Sequence, residues 1–418
     1  MKRRITEILV SRLNSFRAIA LLGPRQVGKS YLLKEIVKRH DGTLLSFDDP
    51  VMRAEAAKDP LKYLKQRYNP GRYLFIDEAA KVPEIFNAVK ILIDENDPKP
   101  TGICLANSGN YLLLRRIKET LAGRVSLLSI YPLSWQEFVG SDRRPGLLEI
   151  FENNLPGKAE PPISLAEIDR SREERLLWGG YPMPALLQDR DSRIIWVNDY
   201  VRTYILPLVV EQFNIRDITA FDRSAQILFT QSAQFFNASK LAQITGVSQP
   251  TASDYAYFLQ AMMVTTFVNS FLHSPFKRLV KQPKTYTVDP LLLHQPLGTG
   301  FSIQTTIDRN QIGHIYETFI FNEMQKTVAN YGKVAEFHSW RTEDKAEVDI
   351  ILSTADGVVP FEVKWSSKLT NRDISGLKSF LKAYPDIKNG YVIYRGEQIE
   401  QMTDRIVAIP DWWLLGCY

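Results

Sequence analysis

The chain has 418 residues, room for two to four domains of ordinary size. Its 44% apolar and 24% charged residues are the balance of a soluble globular protein with sizeable cores, with no low-complexity segment. The net charge of +5, from 52 basic and 47 acidic residues, is compatible with a polyanionic partner but too small to demand one. Two cysteines, Cys104 and Cys417, exclude a disulfide framework or a zinc spacing and make a reducing cytoplasm the expected compartment. The basic start Met1-Lys2-Arg3-Arg4 leads through a short apolar stretch into a phosphate loop, so no signal peptide is expected. No run approaches the roughly 18 apolar residues of a membrane span.

Residues 16–140 alternate strands and helices. Short apolar runs at 18–22, 43–47, 73–76, 102–106 and 125–130 read as strands of a parallel sheet covered on both faces, with helices at 31–39 and 85–93. This predicts a doubly wound α/β domain over 1–140. After the first strand comes Gly23-Pro24-Arg25-Gln26-Val27-Gly28-Lys29-Ser30, a complete P-loop pattern with a strand before it and a helix after it. Backbone N–H groups of such a loop close around phosphate oxygens at the positive end of a helix. Lys29 is expected on the β- and γ-phosphates and Ser30 on Mg²⁺. The run 73–76 ends in Asp77-Glu78, which places Asp77 near the Mg²⁺ and gives Glu78 the attacking water. The plain alternative is a strand end bearing two solvated acids. Ser108, after the next strand, is the candidate γ-phosphate sensor in preference to Asn107. Arg124 is the candidate arginine finger, ahead of Arg115 and Arg116; a surface arginine near a helix end is the equal alternative.

Within a middle region over 141–300, a Pro- and Gly-rich loop at 156–162 is followed by a mostly helical pattern from 165 to about 272. Within it, 238–244, Thr245-Gly246-Val247-Ser248 and 249–255 read as helix, turn, helix, with Ser248 as N-cap and Pro250 in the first turn. A winged helix-turn-helix over about 230–290 would present Gln249, Thr251 and Ser253 to a DNA major groove, with Lys277, Arg278, Lys281 and Lys284 on a basic wing. A packing or protein-docking module fits the same pattern.

Residues 301–418 read as helix 313–326, strands 334–338, 348–352 and 359–364, helix 374–383 and a final strand 391–394. Asp349 and Glu362 fall on neighbouring strands, and Lys364 shares the face of Glu362. Two carboxylates and the Val363 carbonyl can bind Mg²⁺, with Lys364 steadying a metal-activated water and Glu317 completing the ligand set. The alternative is an exposed sheet face with a Glu–Lys pair.

Gly23–Ser30 together with Phe47-Asp48-Asp49-Pro50, Leu74-Phe75-Ile76-Asp77-Glu78, Leu121-Ala122-Gly123-Arg124 and Tyr131-Pro132-Leu133-Ser134-Trp135-Gln136-Glu137-Phe138 resembles a large family of bacterial and archaeal ATP-binding proteins. Gly179-Gly180-Tyr181-Pro182, Gly246-Val247-Ser248, Pro283-Lys284-Thr285-Tyr286, Trp340-Arg341-Thr342, Glu347-Val348-Asp349 and Glu362-Val363-Lys364 extend the resemblance over nearly the whole chain. It departs at Ala79-Ala80 and at Ala106-Asn107-Ser108-Gly109, where the family has Ile-Gln and Thr-Gly-Ser-Ser. The resemblance implies an AAA-type P-loop ATPase domain, a winged helix and a restriction-endonuclease-like module. The resulting expectation is a Mg²⁺-dependent ATPase that couples its nucleotide state to DNA binding, with metal-dependent DNA cleavage left open. A nucleotide-switched DNA- or protein-binding regulator with an inert nuclease fold and an ATP-driven protein remodeller are the alternatives. A homo-oligomer also stays open.

Overall fold

The structure is a computed structural model and describes residues 1–152, 157, 160–272, 282–296 and 302–418. Lys277, Arg278 and Lys281 of the expected basic wing, and residues 156, 158 and 159 of the loop expected at 156–162, lie outside the described residues.

Five strands form the first sheet: β1 (Ala18–Leu22), β2 (Gly42–Ser46), β3 (Tyr73–Asp77), β4 (Ile103–Ala106) and β5 (Val125–Ser129). They are all parallel, in the order β2-β3-β4-β1-β5. β1 and β4 are buried at every position, which is why they read as unbroken apolar runs. In a parallel sheet all strand C-termini meet one edge. The turns after β1, β3 and β4 therefore gather there, and a ligand crevice forms outside them.

Helices Leu165–Trp178, Arg190–Tyr200, Leu206–Phe213 and Ile218–Thr230 build the middle region, with a π-turn at Val201–Ile205. One apolar core runs from Ile19 and Leu21 of β1 through Tyr200, Tyr204 and Ile205 to Leu228, Leu241 and Leu259, so these helices pack directly on the first sheet. Helices Ala238–Thr245 and Gln249–Ala261 are the expected helix-turn-helix. Asn237 and Ser248 cap them, and Gly246 makes the left-handed turn at φ 75°. Beside them lies a small antiparallel sheet, β6 (Gln234–Phe235), β7 (Thr265–Val268) and β8 (Lys284–Thr287), in the order β6-β8-β7.

The C-terminal sheet has six strands: β9 (Glu336–Arg341), β10 (Glu347–Thr354), β11 (Gly357–Lys364), β12 (Gly390–Tyr394), β13 (Glu400–Thr403) and β14 (Ile406–Pro410). Their order is β13-β14-β12-β11-β10-β9. The expected final strand is thus followed by two more. Polar, exposed β13 is an edge strand, and the short buried run of β14 closes on Pro410. Helix Ile312–Asn330 covers one face and Ser375–Ala383 the other. Trp135, Leu147 and Phe151 pack into this C-terminal core, and Glu323 accepts from the Trp135 N–H at 2.7 Å.

Candidate functional site

The loop 23–30 sits at the sheet's C-terminal edge, between β1 and helix Lys29–Arg39. Gly23 has no room for a side chain, because a Cβ would lie 2.3 Å from the Ile130 carbonyl. Gly28 takes φ 93°, which only glycine adopts freely. Val27 is fully buried and anchors the loop, while Arg25, Gln26 and Ser30 face solvent and Pro24 is covered. Lys29 is buried and donates from Nζ to the carbonyls of Gly23 at 2.6 Å and Pro24 at 2.8 Å. Burial lowers its pKa to about 8, against the opposing pull of Glu78 and Asp77. A partly dehydrated ammonium resting on neutral carbonyls is poised to exchange them for phosphate oxygens.

Asp77 ends β3 and accepts from the Glu78 N–H at 3.1 Å. Glu78 is buried with a left-handed backbone, φ 54°. Its Oε1 accepts from the Ser108 N–H at 3.1 Å and from the Ser108 hydroxyl. Ser108 is therefore engaged with Glu78. Asn107 accepts from Ala80 N–H and donates to the Gly109 carbonyl, bracing the same turn. Asn110 was missed by the sequence analysis, since an Asn opening a helix resembles an ordinary cap. It accepts from Gly23 N–H at 2.9 Å and donates to the Gly23 carbonyl at 3.0 Å, clamping the loop to the end of β4.

The helical region touches this site directly. Tyr204 donates to the Ser108 carbonyl at 3.3 Å, and the Arg25 guanidinium lies 4.9 Å from the Tyr204 ring centre. Tyr200 donates to the Arg25 carbonyl at 3.4 Å. Arg124 is not brought to the site. It immediately precedes β5, hence lies at the opposite edge of the parallel sheet, where it pairs with Asp94 at 2.7 and 3.2 Å. Arg115 and Arg116 bond Glu119.

The C-terminal candidates do converge, with an addition that changes their chemistry. β10 and β11 are antiparallel neighbours, and their ladder stops at Ile350–Phe361. Beyond that point Asp349 Oδ2 accepts from the Val363 N–H at 2.9 Å. Glu317 comes in from helix Ile312–Asn330. Lys284, expected on an exposed wing, is instead 1% exposed and buried against these acids. Its Nζ lies 2.8 Å from Glu317, 2.8 Å from Glu347 and 3.3 Å from Asp349. Tyr286, two residues on, donates to Glu317 at 2.6 Å. Lys364 pairs with Glu362 Oε1 at 2.6 Å, and Glu362 Oε2 is buried without a hydrogen-bond partner.

Burial and the neighbouring Asp349 raise both Glu317 and Glu362 to about 8. Glu317, Asp349 and Glu347 push Lys284 well above its ordinary value despite its burial. A divalent ion does not fit this arrangement as it stands, because an ammonium already holds the position between Glu317 and Asp349. Among the described residues, no three His, Cys, Asp or Glu side chains are disposed around a common ion position. Of the expected ligand set, Glu317 and Asp349 meet Lys284, while Glu362 pairs with Lys364.

Residues 15–139 match an AAA domain family, 169–302 a domain of unknown function (DUF8612) and 312–414 another (DUF4143). Uncharacterized protein Rv2008c of Mycobacterium tuberculosis is 26% identical over 94% of this chain and 79% of its own length. Uncharacterized protein MJ1544 of Methanocaldococcus jannaschii is 23% identical over 94% of this chain and 86% of its own. Among solved structures, the Walker-type ATPase PABY2304 of Pyrococcus abyssi aligns with a TM-score of 0.44 at 14% identity, covering 70% of this chain and 94% of that one. The RuvB Holliday junction branch migration motor of Thermotoga maritima aligns with a TM-score of 0.30 at 17% identity, covering 63% and 88%. Among the described residues no helix is long and apolar enough to cross a membrane. The chain carries an N-terminal AAA-type P-loop ATPase domain and a C-terminal DUF4143 domain, and it is an ATP hydrolase.

Proposed function

We propose that this ATP hydrolase is a nucleotide-driven switch acting on a partner held by its helix-turn-helix, with DNA as the first partner to test. The backbone N–H groups of 23–30 and Lys29 bind the phosphates. Ser30 and Asp77 offer hard oxygens suited to Mg²⁺, which neutralises charge on the β- and γ-oxygens when bound. Glu78, held by Ser108, orients the attacking water. Arg124 would act only on a neighbouring copy, since in its own chain it faces the other edge of the sheet.

The observation that carries the switch is the pair of tyrosine contacts. Tyr200 and Tyr204 bond the backbone of Arg25 in the phosphate loop and of Ser108 beside Glu78. Closing the loop on phosphate, or releasing it, moves groups to which the helical core is attached. A DNA-stimulated ATPase rate, together with DNA affinity that differs between ATP-bound and nucleotide-free protein, tests the reading. No effect of DNA on either would sink it.

A protein partner is the second reading, and a specific observation favours it. Helix Gln249–Ala261 carries no Lys or Arg and has Asp254 on its exposed side, while Ile244 and Tyr257 stand exposed. DNA readers of this kind normally add phosphate-contacting cations around the recognition helix. The C-terminal module is read as nuclease-like in fold and closed in function, because Lys284 neutralises the acids that would have to hold a metal.

A further inference from the structure

Transfer of a phosphoryl group to water spreads charge over its oxygens, and a positioned cation speeds the step by meeting that charge. Arg115, Arg116 and Arg124 do not supply one in their own chain. Each is tied to an acid, Arg115 and Arg116 to Glu119 and Arg124 to Asp94. Arg25 stands at the site without such a tie. It is exposed on the phosphate loop itself, and among the described residues its guanidinium has no carboxylate partner. It rests over the Tyr204 ring, 4.9 Å from the ring centre.

The main chain of Arg25 is fixed beside Lys29. Lys29 Nζ bonds the Pro24 carbonyl at 2.8 Å, part of the peptide group that Arg25 completes, and Tyr200 bonds the Arg25 carbonyl at 3.4 Å. The exposed side chain is left as the part that can move. Its resting place leads to the other reacting group. The Tyr204 hydroxyl bonds the Ser108 carbonyl at 3.3 Å, and the Ser108 N–H holds Glu78 Oε1 at 3.1 Å. Charge agrees with this placing. Burial raises the Tyr204 phenol, while the Arg25 cation pulls it down and Glu78 pushes it up. Burial lowers Lys29, a fall that Glu78 and Asp77 oppose and Arg25 reinforces. The guanidinium is thus within electrostatic reach of both the lysine that binds the phosphates and the turn that holds Glu78.

We infer that Arg25 is a catalytic residue of ATP hydrolysis acting in its own chain, leaving Tyr204 to donate two N–H bonds to γ-phosphoryl oxygens during transfer. The inference rests on the placing of the triphosphate at 23–30 and of the water on Glu78. A cation on the face of an aromatic ring near solvent is weakly held. A guanidinium fork on two phosphoryl oxygens makes a pair of charge-assisted bonds, so the phosphoryl group takes it from the tyrosine. In the step, the water oxygen bonds to the γ-phosphorus and the bond from that phosphorus to the β–γ bridging oxygen breaks. ADP leaves with the electron pair, and a water proton passes through Glu78 to the released phosphate. Arg25 stays protonated throughout.

The test is steady-state hydrolysis of Mg-ATP beside calorimetric binding of ATP and ADP. Arg25→Ala should lower kcat by about 10²–10³-fold, with ATP affinity falling less than about tenfold and ADP affinity unmoved. Arg25→Lys, which keeps the charge and loses the fork, should recover less than about tenfold of that loss. Guanidinium ion, added well below denaturing concentration, should raise the rate of Arg25→Ala and not that of the wild type. Wild-type affinity for ADP reports that the variant has kept its fold. The wild-type rate per chain should not depend on protein concentration. A kcat for Arg25→Ala within about threefold of wild type would overturn the inference. So would equal losses of ATP and ADP affinity with kcat kept, or a per-chain rate that rises with concentration and falls on Arg124→Ala. Glu78→Gln that is inactive beside an active Arg25→Ala sinks this inference alone. Wild-type protein that hydrolyses no ATP, or Glu78→Gln that hydrolyses it at the full rate, would overturn the reading beneath it as well.

Discussion

Each candidate site is built around a buried lysine, and the two lysines have opposite partners. Lys29 rests on two neutral carbonyls with Asp77 and Glu78 further off, and burial wins: its pKa falls to about 8. Lys284 touches three carboxylates, and charge wins: its pKa rises although it is more deeply buried. A hydrogen bond to a neutral carbonyl is worth about 1 kcal/mol net, so phosphate can displace it. A buried ammonium among carboxylates is held by mutual charge, and removing either side strands the other. One site is prepared to receive an ion from outside. The other has supplied its own.

The largest expected effects lie at the first site. Lys29→Ala should abolish tight ATP binding. Glu78→Gln should keep ATP bound and slow single-turnover hydrolysis by about 10²–10⁴-fold, the usual share of a positioned base. Hydrolysis by Glu78→Gln at the wild-type rate would remove Glu78 from the mechanism.

At the second site the expected effect is on stability. Lys284→Met strands the buried acids and should cost about 3–5 kcal/mol in chemical denaturation. Above about pH 8, where Glu317 is charged, adding Glu317→Gln should return part of it by removing one of those charges. Lys29→Met, which breaks only bonds to carbonyls, should cost far less. Equal losses for the two lysines would erase the contrast between the sites. Metal provides a sharper break. In a Lys29→Ala background, Mn²⁺ should not raise the melting temperature or support DNA nicking. A Mn²⁺-dependent rise that Asp349→Ala removes would restore the metal reading of the C-terminal acids.

The same contrast predicts two pH dependences. Lys29 is charged below about pH 8 and must be charged to hold phosphate. ATP affinity should therefore fall by up to about tenfold per pH unit above 8, with proton uptake on binding seen in buffers of different ionisation enthalpy. Glu317 moves from an ordinary 4.5 to about 8. Between those values the folded chain binds more protons than the unfolded one, so stability should fall as pH rises from about 4.5 to 8 and then level off. Glu317→Gln should flatten that slope. An unchanged slope would place the proton elsewhere in the cluster.

The first site was the more legible in sequence because it is local. Strand, glycine loop and helix are contiguous, and Asp77-Glu78 closes a strand of the same apolar type. Asn110 escaped because its partner, Gly23, lies 87 residues away. The C-terminal cluster was half legible. Asp349, Glu362, Lys364 and Glu317 stand out as acids and a lysine on paired elements. The fifth member hid in another motif, since a lysine next to basic residues reads as a wing, and its contacts with Glu347 and Asp349 span 63 and 65 residues. Arg124 shows the limit of a local pattern. Its local motif suggested a finger, but its place just before β5 sends it to the far edge of the sheet, a fact of topology that no local pattern carries.

The smallest predicted effect concerns the link between the nucleotide site and the helices. Tyr204 is buried and spends its hydroxyl on the Ser108 carbonyl, one residue from the N–H of Gly109 that opens helix Asn110–Thr120. Tyr204→Phe keeps the ring under Arg25 and removes one hydrogen bond to a neutral carbonyl, a change of about 1 kcal/mol. If that bond transmits the state of the Glu78–Ser108 turn, its loss should appear as coupling. The ratio of partner affinities with and without ATP should shrink by about fivefold, while ATP affinity changes less than that. A variant that weakens ATP binding and leaves the ratio intact would make Tyr204 part of the nucleotide pocket's packing, and the switch would have to run through Tyr200 and Arg25 instead.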